Sequence, residues 1–203
     1  MTSSLLNFHS KRKRSVAFTL VEVMIAAGLG SIILAGVLSS FLMLVKSGVR
    51  VSNYSTMESE TRRAFERLGI DARMSNDFSS NISGGVITSF TLTIPTEDSV
   101  NPHRQVTYGY ETDPTNSTKK RLFLVPGSSA SGTLGKRILV SNVDALVFAR
   151  YNISDVLIPT STVADTGVKH IQIQLSVSRT AVGVAAATQV IRSSAFTIRN
   201  ISI

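Results

Sequence analysis

The chain has 203 residues, a formal net charge of +8 and no cysteine. That length holds one domain of ordinary size plus an additional element, and the missing thiols exclude disulfides, thiolate metal sites and a cysteine nucleophile. Half of the charge resides in Lys11, Arg12, Lys13 and Arg14, so the rest of the chain is too mildly basic for a strong nucleic-acid footprint.

The basic cluster opens into an apolar run. Val23 through Val45 carries no charged residue, and about 20 helical residues cross a bilayer core. A soluble helix seldom stays apolar on every face for so long. The run predicts a membrane-spanning helix with the basic cluster on the cytoplasmic side and everything after Lys46 outside the cytoplasm. It exceeds the apolar stretch of roughly 7–15 residues in a secretory signal, and the small residues Ala35 and Gly36 fall inside it. An uncleaved signal anchor is the simpler alternative.

Glu22 stands at the start of this run. A carboxylate near the bilayer centre costs roughly 2.5–3.5 kcal/mol on insertion scales. Near the helix start it costs less, because the interface is close and the helix dipole favours negative charge there. Glu22 is thus either a headgroup-level residue or a functional one.

The local order of residues bears on that choice. After Arg14 come Ser15, Val16 and small Ala17, then Phe18, Thr19, Leu20, Val21 and Glu22. This stretch resembles the precursors of type IV pilins and type II secretion pseudopilins. These have a short basic leader, a small residue, usually glycine, a Phe-Thr-Leu-aliphatic-Glu core and a long apolar helix. "AFTLVEVMIAAG" matches from Phe18 onward, with Ala17 where glycine is usual. The resemblance implies that a prepilin peptidase/methyltransferase cuts between Ala17 and Phe18 and methylates the new amine of Phe18. It also implies a role for Glu22, four residues on and on the same helix face. In a filament, the carboxylate of one subunit would meet the Phe18 ammonium of a neighbour and set its height. Ala26 with Gly30 and Ala27 with Ser31 fit the small-xxx-small spacing of close-packed membrane helices. No proline precedes Pro95, so any bend in this helix would fall at Gly36 or Gly48.

The helical period continues past the membrane. Val49, Met57, Thr61, Phe65, Leu68 and Ala72 fall near one stripe, expected to pack on a soluble domain or to pair as a coiled coil. Glu58 and Arg62 stand at attractive helix-neighbour spacing, Arg63 and Arg67 at repulsive spacing. The helix is expected to end around Met74–Asn76, followed by Ser/Asn/Gly-rich connection up to Gly85.

Beyond Gly85 the pattern is β. Strands are expected over Val86–Ile94, Arg104–Tyr110, Lys120–Val125, Asp144–Asn152, Val168–Arg179 and Val190–Asn200. Ile171, Ile173, Leu175 and Val177 alternate with Gln172, Gln174, Ser176 and Ser178, the signature of a sheet with one buried and one wet face. "PTEDSVNP", "ETDPTNSTKK" and "PGSSASGTLGK" supply turns. The expected fold class is α+β, a long helix packed on an antiparallel sheet, which agrees with a pilin-like fold. The expected division is a leader over 1–17, an assembly helix over 18–45, its amphipathic continuation over 46–76 and a β-rich head over 77–203. The head is similar to minor pilins or J-type minor pseudopilins in size, in "VDALVFARYN" followed by "VKHIQIQLSV", and in the terminal "RSSAFTIRN".

Little in the head points to chemistry. His9, His103 and His170 are scattered without zinc spacing. Glu97–Asp98 and Glu111–Asp113 are solvated turn residues or calcium ligands. "GSSASGTLGK" departs from a phosphate loop at Ala130 and Arg137. Lys119, Lys120, Arg121, Lys136 and Arg137 form a charged loop or a DNA-binding patch. No catalytic residue, metal site or cofactor is expected. The reading is a filament-subunit precursor in the cytoplasmic (inner) membrane, its partners being the peptidase and other pilin or pseudopilin subunits. The alternative is an unprocessed, single-pass, membrane-anchored binding module.

Overall fold

A computed structural model describes residues 19–132, 134–161, 165, 167–180 and 188–198. The chain divides into two compact units, Met1–Val45 and Lys46–Ile203.

In the first unit the described residues form the opening part of α1, which runs Leu20–Met74. This part is long and apolar enough to cross a membrane, and none of it is buried within the chain. Ile32, Leu34 and Met43 are among its exposed side chains. Ser31 and Ser40 return their hydroxyls to the helix, donating to the carbonyls of Gly28 (2.8 Å) and Gly36 (3.0 Å). Neither leaves an unmet polar group on an apolar face.

The second unit packs the end of α1 against seven strands: β1 (Asp77–Ser83), β2 (Val86–Pro95), β3 (His103–Asp113), β4 (Asn116–Pro126), β5 (Arg137–Tyr151), β6 (His170–Arg179) and β7 (Thr188–Thr197). All neighbours are antiparallel and their order in the sheet is their order in the chain. The α+β architecture is as expected. On β6 the side chains of Ile171, Ile173, Leu175 and Val177 are buried, as the alternation requires. The core centres on Phe90, whose ring lies 5.1 Å from Phe148, 5.5 Å from Tyr108 and 5.7 Å from Phe78. Met57, Leu68 and Ala72 of α1 complete it.

Several expectations need correction. Asp77–Ser83, read as connection, is strand β1, paired with β2 from Asp77–Thr93 to Ser83–Val86. Only Gly84 and Gly85 make the turn, both at positive φ, where glycine has no steric cost. "ETDPTNSTKK" is mostly strand, and β5 starts at Arg137 rather than Asp144. Val49 does not join the buried stripe: it is 39 % exposed, and burial begins at Met57 and includes Ala64, Gly69 and Asp71. Glu58 accepts from Arg192 of β7 rather than from Arg62, which pairs with Glu66 at 2.8 Å.

Ion pairs tie α1 to the late strands. The Arg179 guanidinium donates to both Glu60 oxygens (2.7 and 2.9 Å). Asp71 is buried and accepts from the Tyr108 hydroxyl (2.7 Å) and Arg67 Nε (3.1 Å). The guanidinium of Arg150, fully buried on β5, meets the Asp165 carboxylate. Asp165 also accepts from the Ser80 amide (2.5 Å) and hydroxyl (2.7 Å).

Candidate functional site at the start of the long helix

The chain enters α1 through Thr19 and Glu22. The Glu22 amide donates to Thr19 Oγ1 (3.2 Å), and the Thr19 amide and hydroxyl both face Glu22 Oε2 at 3.4 Å. This reciprocal pair is a capping box: Thr19 is the N-cap, Glu22 the third helical residue, and each satisfies a backbone donor that the helix cannot. The carboxylate also faces the positive end of the helix dipole. The sequence signal is Thr-x-x-Glu ahead of an apolar run. Glu22 therefore has a job within its own chain, which reading it only as an intersubunit residue overlooks.

Glu22 is exposed, as are Val21 and Val23 beside it. Ala17, Phe18 and the basic cluster lie outside the described residues. Further along the helix, a side-chain carbon added at Gly28, Gly30 or Gly36 would touch nothing within 4 Å. Packing inside this chain does not require these glycines. Ile33, Val37, Ser40, Phe41 and Leu44 surround the shallow depression at Gly36.

Residues 12–38 match the family described as the prokaryotic N-terminal methylation motif. The chain carries a prepilin-type N-terminal methylation motif. The motif spans Arg12, Lys13 and Arg14 of the basic cluster, the Ala17–Phe18 junction, Glu22 and the apolar helix through Leu38. It supports a pilin-like precursor of the type IV pilin and pseudopilin kind, handled by a prepilin peptidase and anchored through its apolar helix. A search of curated proteins found no match.

The other candidate residues belong to the head. Glu111 accepts from Arg121 (2.6 Å) and from Lys136. Burial works against its charge, but these hydrogen bonds outweigh burial and hold its carboxyl below the usual carboxylate range. The Asp113 carboxyl is held low by the Thr115 hydroxyl and amide, which it accepts within its turn. Both acids are thus committed to the protein itself. Glu97 and Asp98 are exposed, and Asp98 caps the Val100 amide at 2.9 Å. No group of three or more His, Asp or Glu side chains among the described residues is placed to hold a metal ion. Of the basic residues considered for DNA, Lys119 pairs with Asp144, and Arg121 and Lys136 share Glu111. Those pairings reduce the charge the patch presents to a phosphate backbone. His170 is half-buried, with Nδ1 3.1 Å from the Thr197 hydroxyl.

Proposed function

We propose that the protein is the precursor of a filament subunit, cut between Ala17 and Phe18 and methylated on the Phe18 amine. It then assembles through its N-terminal helix into a type IV pilus or type II secretion pseudopilus. Its role is structural rather than catalytic, and it is a minor subunit. It resides in the cytoplasmic membrane with its N-terminus inside and its head outside until it joins the filament. The methylation motif over residues 12–38 carries this reading.

The chemistry is consistent with it. Cleavage at Phe18 would leave a cationic amine one residue before Thr19, beside a helix start whose only acid is Glu22. In the isolated chain that carboxylate caps its own helix. In an apolar bundle it would also neutralise the amine of an adjacent subunit, since two isolated charges there would be far more costly than a pair.

Intact mass of the membrane-extracted protein tests the first half. A chain beginning at Phe18 and heavier by one methyl group is the expected result; retention of residues 1–17 would replace this reading with the unprocessed anchor. Glu22→Ala tests the second half. Processing should persist while incorporation into filaments is lost, and normal incorporation of the variant would remove the assembly role from Glu22.

A further inference from the structure

Strand β5 parts from its neighbour. Its pairing with β4 ends at Lys120 opposite Val143, although β4 begins at Asn116 and β5 continues to Tyr151. At the far end the chain folds back along the same edge: Leu157 bridges Tyr151, and the Ile158 amide donates to the Arg150 carbonyl (2.8 Å). Backbone groups of successive strand residues point to opposite edges. The edge that carries the Arg150 carbonyl therefore also carries the amides and carbonyls of Leu146 and Phe148. Among the described residues no strand pairs with them there. The sheet is open along this stretch of the β5 edge, leaving a gap beside it.

The gap is a cleft of about 510 Å³. Its walls are Val86 and Ile87 of β2, Tyr110 of β3, and Leu157 and Ile158 of the returning segment. Val86, Leu157 and Val147 are 52, 54 and 55 % exposed, unusual for aliphatic side chains gathered at one place. Lys120 lies at the same cleft, its ammonium 4.4 Å from the Tyr110 ring centre. Its neighbours Lys119 and Arg121 each hold a carboxylate. Lys120 has no carboxylate partner among the described residues.

We propose that this edge receives an extended segment of another polypeptide, which adds a strand beside β5. Alternate aliphatic side chains of the segment would fill the cleft, and an acidic side chain would face Lys120. A main-chain partner fits better than a lipid or other apolar small molecule. Only a backbone supplies donors and acceptors at strand spacing for Leu146 and Phe148, whose groups a hydrocarbon would bury unmet.

The test uses the full chain in lipid nanodiscs and fluorescence anisotropy with labelled heptapeptides. The set has Val, Ile or Leu at alternate positions and one Glu at each remaining position in turn. At least one register should bind. N-methylating the amides on one edge of that peptide leaves its side chains intact and should weaken binding by about tenfold or more, as expected when main-chain hydrogen bonds supply the affinity. Lys120→Glu should shift preference from the Glu peptide to its Lys counterpart. Failure of every peptide to bind would overturn the proposal. So would equal binding of the N-methylated peptide, or binding of decanoate in the cleft with no peptide binding.

Discussion

The Tyr108 hydroxyl on β3 donates to the buried Asp71 carboxylate of α1 at 2.7 Å, joining helix to sheet through one hydrogen bond to a charge. Such a bond contributes about 1.5–3 kcal/mol. Tyr108→Phe should keep the ring packing against Phe90 and lower Tm by roughly 3–12 °C for a domain of this size. Thermal unfolding followed by circular dichroism checks it, and an unchanged Tm would show that Arg67 and Arg104 suffice for Asp71.

The same pair predicts a pH response. Burial first, then the hydrogen bond to Asp71, pushes the Tyr108 hydroxyl far above its ordinary value near 10. The folded protein therefore keeps a proton that the unfolded chain loses. The stabilisation is complete below about pH 10 and declines as pH rises beyond it. The difference in Tm between wild type and Tyr108→Phe should shrink above pH 10; a constant difference would contradict this.

Glu111 behaves in the opposite sense. Its carboxyl is held low by Lys136 and Arg121 against the effect of burial. Its contribution is present above the usual carboxylate value of about 4.3 and fades as pH falls below it. Glu111→Gln should lower stability at pH 7 and lose less than wild type on acidification to pH 3. Parallel acid profiles for the two proteins would refute the assignment.

Gly109 should not tolerate a methyl group. A side-chain carbon there would lie 2.8 Å from the Phe123 ring and 2.9 Å from the Ser89 side chain. Phe123 is its direct cross-strand neighbour, and the ring covers the glycine. Gly109→Ala should destabilise by about 1–3 kcal/mol through overpacking, measured by urea titration. Gly28→Ala, with open space around it, should show no such loss.

Asp165→Ala removes the carboxylate facing the fully buried Arg150 guanidinium and the acceptor of the Ser80 amide. Breaking such a pair from one side costs about 3–5 kcal/mol. Limited proteolysis should then cut between Tyr151 and His170 well before the rest of the head. Unchanged cleavage there would mean that Arg150 does not depend on Asp165.

Reading the sequence recovered the helix and six of the seven strands, because long apolar runs and strict alternation leave few other folds. It missed β1 for a physical reason. "DFSSNIS" is rich in Ser, Asn and Asp, residues that favour turns locally, and its strand conformation comes from pairing with β2. Val49 shares the period of the buried stripe, but periodicity does not reveal where packing begins. Glu58 pairs with Arg192, which no local spacing can anticipate. At the N-terminus the spacing of Ala17, Phe18 and Glu22 was legible. The capping of α1 by Thr19 was legible too, as Thr-x-x-Glu, although a charge at the head of an apolar run points equally to a partner in another chain.

A sheet whose strands follow the chain without a crossover can be laid down one hairpin at a time, with little loop closure between steps. Two of the ion pairs that hold α1, however, come from the end of the sheet: Arg179 closes β6 and Arg192 lies on β7. As the chain is delivered from its N-terminus, the helix arrives first and these two clasps arrive last. Glu60 gains its guanidinium only with β6 and Glu58 only with β7, so a half-delivered chain leaves part of the apolar stripe of its own helix uncovered.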